Sequence, residues 1–161
     1  MRGAAVDAER QAKVDRIRRF PAELEALVSG LSSEDLHTHY LENEWTVAQN
    51  VHHLADSHMN SFIRIKLMLT EDNPTIKPYK QDSWALTPEA HGIPVESSLL
   101  LLKGLHERWA LLFEQVDESA WSRTVTHPEN GTMTLDNFLN TYSRHCDAHI
   151  DQIQRTLAAK G

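Results

Sequence analysis

His145 and His149 stand four residues apart in YSRHCDAHIDQI, the stretch from Tyr142 to Ile153. An α-helix turns about 100° per residue, so an i, i+4 pair points to one side. A third histidine, His53, lies in WTVAQNVHHLADSHMNSFIR, from Trp45 to Arg64. Two imidazoles from one helix and one from a facing helix would make a three-histidine metal site. Neutral imidazole suits Zn²⁺, Ni²⁺, Fe²⁺ and Cu²⁺. Three protein ligands with an open position is the catalytic arrangement, whereas four closed ligands is the structural one. The HxxxH spacing alone is a weak signal, and a single histidine such as His53 is more often a packed, hydrogen-bonded residue. The neighbours strengthen the case. Ser57, Asn60, Arg64 and Leu67 fall within roughly 40° of His53, and Phe138, Tyr142 and Gln152 share the face of His145 and His149. A polar line on a helix that is otherwise aliphatic implies a polar cavity between helices. Asn60, Arg64 and Tyr142 are the candidates for orienting a substrate there.

The other histidines read more plainly. His52 points about 100° from His53 and packs or faces solvent. His58 lies well off the His53 face, which leaves it a supporting or interface role. His106 sits among apolar positions and reads as a buried packing residue rather than a fourth ligand. His37, His39, His91 and His127 fall in loops. Cys146 follows His145 but lies about 100° off the ligand direction, as a buried thiol that behaves like a small hydrophobe would. In HExxH metalloproteases a Glu that acts as general base holds that position. Without it, chemistry in which the metal itself activates the nucleophile fits better.

Composition limits the alternatives. The chain has 161 residues, enough for one domain with a real core, and a formal net charge of −7. That charge argues against nucleic acid or an anionic membrane as partner, since both reward Lys/Arg patches. The short basic run RIRR, at Arg16 to Arg19, reads as a solvated helix face. No apolar run approaches the ~20 residues needed to span a bilayer. Met1 to Arg10 has no apolar core of a signal peptide. The single cysteine excludes an internal disulfide. A cytoplasmic location is expected.

The elements that must position the histidines follow from periodicity. Residues 1–19 form a polar lead-in expected to pack weakly. A first helix is predicted from Pro21 to about Gly30, since proline suits a first turn. Thr46 with Gln49 has capping-box spacing and opens a second helix that runs to about Thr70. Residues 71–96 carry four prolines and no periodicity, which predicts a long crossover covering one end of the molecule. A third helix spans about Ser97 to Val116, with Leu99, Leu102, Leu105, Trp109, Leu112, Phe113 and Val116 on its core side. Asp117 to Trp121 reads as a turn or short helix, and Thr124 to Thr126 is the one faint strand pattern. Thr134 caps a fourth helix that ends near Ala158. The fold class is therefore all-α: one four-helix bundle over residues 1–161 with a long crossover between helices 2 and 3.

At these residues the sequence resembles the DinB-like superfamily, and specifically its YfiT branch, classed as metal-dependent hydrolases and bacillithiol S-transferases. The resemblance covers nearly the whole chain. WTVAQNVHHLADSHMNSFIRIKLMLTEDNPTIKPY resembles that branch's helix 2 and crossover, and SRHCDAHIDQI its helix-4 motif. The resemblance implies an up-down-down-up bundle, a divalent metal (Zn²⁺ or Ni²⁺) on His53, His145 and His149, and a homodimer. It does not imply DNA binding. The function expected first is transfer of a low-molecular-weight, bacillithiol-like thiol to an electrophilic substrate. The alternatives are hydrolysis of an amide or ester by water activated at the metal, and a non-enzymatic helical binding or assembly module.

Overall fold

In a computed structural model the protein is described from residue 7 to residue 161. Four long helices dominate it: α1 (Ala8–Val28), α3 (Val47–Thr70), α6 (Glu96–Gln115) and α7 (Leu135–Ala158). Between them come α2 (Ser33–His37), α4 (Gln81–Trp84), α5 (Pro88–Gly92), a 3₁₀ turn at Glu118–Ser122 and the strands β1 (Thr124–His127) and β2 (Gly131–Thr134). The four-helix bundle and its long crossover are as expected. α1 packs on α6 and α7, and α3 packs on the same two helices.

The apolar residues form two clusters, and these give the helix directions. One joins Val14 and Ile17 of α1, Ile65 and Met68 of α3, Trp109 and Phe113 of α6, and Leu135 and Phe138 of α7. The other joins Phe20 and Leu24, Val47 and Val51, Leu102, and Ile150 and Ile153. The first halves of α1 and α7 thus share an end with the second halves of α3 and α6. This is the up-down-down-up order. A polar waist of fully buried His58 and His106 separates the two clusters.

The expected weak lead-in is corrected, apart from residues 1–6, which lie outside the described residues. α1 starts at Ala8 and passes through Pro21 without a break. Val14 and Ile17 continue the stripe of Phe20 and Leu24 at helical spacing, and all four are fully buried. Arg10 makes a two-pronged bond to Asp136, from Nε and a terminal nitrogen at 2.8 Å each, and pins the start of α1 to α7. Arg16 is not on a solvated face either, since it pairs with Asp147 at 2.5 Å and Glu23 at 2.8 Å. Pro21 marks no helix start because its local cost is met from outside. Proline has no N–H to give the carbonyl four residues back. A buried carbonyl left unpaired costs about 1–3 kcal/mol. Here the Ile17 carbonyl accepts from His106 Nδ1 at 2.7 Å.

α3 and α7 begin where their caps predict. The Thr46 hydroxyl accepts from the Gln49 amide at 3.1 Å, and Gln49 Oε1 accepts from the Thr46 amide at 3.0 Å. Thr134 and Asn137 repeat the reciprocal pattern at α7. On α6 the buried set is Leu102, His106, Trp109, Ala110 and Phe113, while Leu99, Leu105, Leu112 and Val116 are partly covered.

The crossover does not cover one end. Because α3 and α6 run the same way, it must return along the length of the bundle. It is tied down as it goes: the Ile76 amide donates to the Thr126 carbonyl at 3.0 Å, Arg64 donates to the Lys77 carbonyl at 2.6 Å, and Gln49 donates to the Ala85 carbonyl at 3.0 Å. Further on, His52 Nε2 lies 3.2 Å from the Ile93 carbonyl. The faint strand pattern is real. β1 pairs antiparallel with β2, with Val125 opposite Met133.

Candidate metal centre

The Thr46 cap fixes the entry of α3 and so the direction of His53, two turns in. His145 and His149 lie on successive turns of α7. Taking one nitrogen from each, the three rings bring donor atoms within 4.8 Å of one another. Nε2 of His145 lies 3.1 Å from Nε2 of His149. The residues read from the sequence as metal ligands are the residues the fold brings together.

The hydrogen bonds behind these rings decide which nitrogen is free. Asn50 is fully buried and donates its amide to the Thr46 carbonyl at 3.0 Å, so its Oδ1 is the acceptor. That oxygen lies 2.9 Å from His149 Nδ1, which must therefore carry the proton. The Nε2 of His149 is left as a lone pair. On the other side His145 Nδ1 lies 3.0 Å from His58 Nε2, and His58 Nδ1 lies 2.7 Å from His106 Nε2. His106 Nδ1 ends the row on the Ile17 carbonyl, which can only accept.

Burial holds these rings neutral. It pushes His53 down to about 3, helped by the nearby His149, and His149 down to about 4. It pushes His145 well below the ordinary histidine range, with the charges of His149 and His53 adding to the effect. Neutral rings in the row from Ile17 leave the proton of His145 on Nδ1 and a lone pair on Nε2. Two imidazole lone pairs thus face each other across 3.1 Å with no proton to share. A divalent cation would resolve that repulsion. Nitrogens about 2.0–2.1 Å from one tetrahedral zinc ion lie about 3.3 Å apart. The donor set fits the metal ion.

The third donor, His53, is held by packing, with the Trp45 indole 4.6 Å from its ring. The site opens onto a cavity of about 470 Å³. Its remaining wall comes from Asn43, Glu44 and Trp45 before α3, Gln81 and Asp82 of α4, and Gln152 of α7. Gln152 lines the cavity with His145 and His149, as its place on their helix face predicts. The other five were not anticipated. The available signal was the polar turn Asn43–Glu44 just before Trp45 and the cap. Asn43 has φ +61°, a left-handed conformation that asparagine tolerates better than most residues.

Asn60, Arg64 and Tyr142 do not line this cavity. Asn60 donates back to the Asp56 carbonyl on its own helix at 2.8 Å. Arg64 holds the crossover through Lys77 and lies 6.0 Å from the Tyr79 ring centre. Tyr142 packs behind the site, 5.6 Å from the His145 ring and 5.4 Å from Trp109. His106 is buried as expected, though hydrogen-bonded at both nitrogens. His58, expected in a supporting or interface role, links it to His145. Cys146 is fully buried away from the donors, and burial pushes its thiol up to about 12.

Known proteins resemble this chain in sequence and in fold. A relative from Geobacillus kaustophilus (strain HTA426), named "Putative metal-dependent hydrolase", is 46% identical over 155 residues, covering 95% of this chain and 86% of that protein. A second from Geobacillus thermodenitrificans (strain NG80-2), with the same name, is 45% identical over 147 residues, covering 90% and 82%. The solved structure of YfiT from Bacillus subtilis is described as that of a probable metal-dependent hydrolase with an unusual four-helix bundle topology. It superposes with a TM-score of 0.89 at 36% identity, covering 94% of this chain and 88% of that one. None of the helices among the described residues is long and apolar enough to cross a membrane. The DinB superfamily profile matches residues 16–153, from α1 to beyond His149 in α7. With the bundle order, the histidine cluster and these relatives in agreement, the chain belongs to the DinB superfamily.

Proposed function

We propose that the protein is a metal-dependent transferase that joins a low-molecular-weight thiol, of the bacillithiol kind, to an electrophile. The observation that carries this reading is a set of three neutral imidazole donors opening onto a polar cavity of about 470 Å³. That volume is within the range of small-molecule sites, about 300–1,000 Å³. A zinc or nickel ion held by His53, His145 and His149 would act as a Lewis acid and lower the pKa of a thiol. Neutral donors leave the charge of the ion uncompensated, which favours an anionic sulfur in the site. No carboxylate backs His145 or His149, whose partners are an imidazole and an amide. The Trp45 indole shields one flank of the donors from water. The amides of Asn43, Gln81 and Gln152 offer donors and acceptors to the polar arms of a thiol.

The test is the optical spectrum of cobalt-substituted protein before and after addition of cysteine, glutathione and bacillithiol, with His149→Ala as control. A sulfur-to-cobalt charge-transfer band absent from the variant supports the transferase. Conjugation of the same thiols to monobromobimane, followed by mass spectrometry, should then depend on the metal. Cobalt d–d bands indifferent to every thiol count against it.

One observation favours hydrolysis instead. Glu44 lines the cavity, and its Oε2 is buried without a hydrogen-bond partner among the described residues. Asp82 lies on the same wall. The carboxylate missing after His145 is thus available from outside the ligand helix. Metal-dependent cleavage of esters or amides without any thiol, lost in Glu44→Gln, would establish that reading.

A further inference from the structure

His58 and His106 belong to no ligand set, yet they fill the centre of the bundle. Both are fully buried, packed between Phe20 and Trp109. A purely apolar layer would pack the same space without needing hydrogen-bond partners. Their bonds have one possible direction. The Ile17 carbonyl lacks its helical donor because residue 21 is proline. It accepts from His106 Nδ1 at 2.7 Å, which places the His106 proton there. The neutral ring then offers Nε2 as acceptor, so His58 must donate from Nδ1 across 2.7 Å. His58 in turn offers Nε2, and His145 must donate from Nδ1 across 3.0 Å. Reversing any one ring would set two N–H groups, or two lone pairs, against each other.

Resting on the reading of His53, His145 and His149 as a metal centre, we propose that His58 and His106 are positioning residues for that centre. Together with the carbonyl freed by Pro21, they form a directional relay that fixes the tautomer and orientation of His145 from two residues away. The relay does a job that a carboxylate or a carbonyl usually does in one step. It ends on a neutral group, so it orients His145 without adding negative charge near the ion.

The test uses the full chain with zinc as the probe. His106→Leu removes the acceptor for His58 but fills similar volume, and it touches no ligand. His106→Gln keeps a side-chain acceptor and donor. Loss of an outer partner typically costs 10–100-fold in metal affinity. The expected result is zinc affinity, by chelator competition, weakened 10–100-fold in His106→Leu and held within a few-fold of wild type in His106→Gln. A residue needed only for packing would show the reverse order, leucine being the better core residue. Equal affinity in wild type and His106→Leu overturns the relay and leaves the metal centre standing. Wild type that binds no zinc overturns the metal centre itself, and with it the purpose of the relay. Should His106→Leu fail to fold, long-range ¹H–¹⁵N spectra of histidine-labelled wild type decide the matter. Protons on Nδ1 of His58 and His106 are expected in both the zinc-loaded and the metal-free protein. A proton on Nε2 of either ring overturns the proposal.

Discussion

Acid should unfold the metal-free protein at an unusually mild pH. Five rings of the candidate site and the waist are buried neutral: His53, His58, His106, His145 and His149. Burial is the largest cause of the lowered value in each, reaching about 3 for His53 and about 4 for His106 and His149. In the unfolded chain the same rings return to about 6.5. The unfolded state therefore takes up protons that the folded state refuses. The stability tied to these groups is complete above pH 6.5 and is lost as the pH falls toward the folded values. At pH 5.5 each ring favours the unfolded chain by about 1.4 kcal/mol, so five rings together remove about 7 kcal/mol. Asp56 works the other way, because burial pushes its carboxyl up to about 6, and it offsets less than about 1 kcal/mol. A net loss of roughly 6 kcal/mol compares with a typical total stability of 5–15 kcal/mol. Far-UV circular dichroism and tryptophan fluorescence, followed from pH 8 to pH 4 without metal, should show a cooperative transition near pH 5–5.5. Denaturant titrations across this range should give a slope of several protons taken up on unfolding. Zinc at a hundred times its dissociation constant adds about 2.7 kcal/mol, which moves the midpoint down by about 0.4 pH unit. A metal-free protein still folded at pH 4.5, or a slope of fewer than two protons, would refute the neutral burial of these five rings.

Other substitutions probe separate contacts. His149→Ala should abolish tight metal binding, and stoichiometric metal retained after dialysis would contradict the ligand assignment. Asn50→Ala frees His149 Nδ1 and should weaken zinc binding by 10–100-fold in chelator competition, with helix content by circular dichroism kept. Thr46→Ala removes the cap of α3 and should cost about 1 kcal/mol in chemical denaturation. Arg64→Ala should leave metal binding at the wild-type level, since its partner is the Lys77 carbonyl; a metal-depleted variant on elemental analysis would place it nearer the donors than the structure does.

What the sequence made legible was whatever one helix determines by itself. The capping boxes at Thr46 and Thr134 located α3 and α7, and the four-residue spacing of His145 and His149 located the site. Gln152 followed from the same period. What stayed hidden depended on a second element. Pro21 reads locally as a helix start, and only the ring of His106, from another helix, makes it acceptable inside one. The side chain of Arg64 does point along the polar face, but the crossover supplies the carbonyl that occupies it. Glu44 and Asp82 could not be read as cavity residues, because a turn places the one and the four-residue α4 the other, and neither carries a periodicity. The outcome for His58 is similar: its angle on α3 puts it off the His53 face, and only the meeting of three helices makes it a neighbour of His145.

Cys146 gives the molecule its own clock. It is the single sulfhydryl in the chain, fully buried, and its high pKa keeps it protonated at neutral pH. A thiol reagent can therefore reach it only when α7 lifts from the bundle or the whole chain opens. Since Cys146 is the residue next to His145, its labelling rate times the separation of the wall that carries two of the three donors. Slower labelling with zinc bound would measure, in seconds or hours, how much a bound ion adds to the packing that already holds α7 against α3.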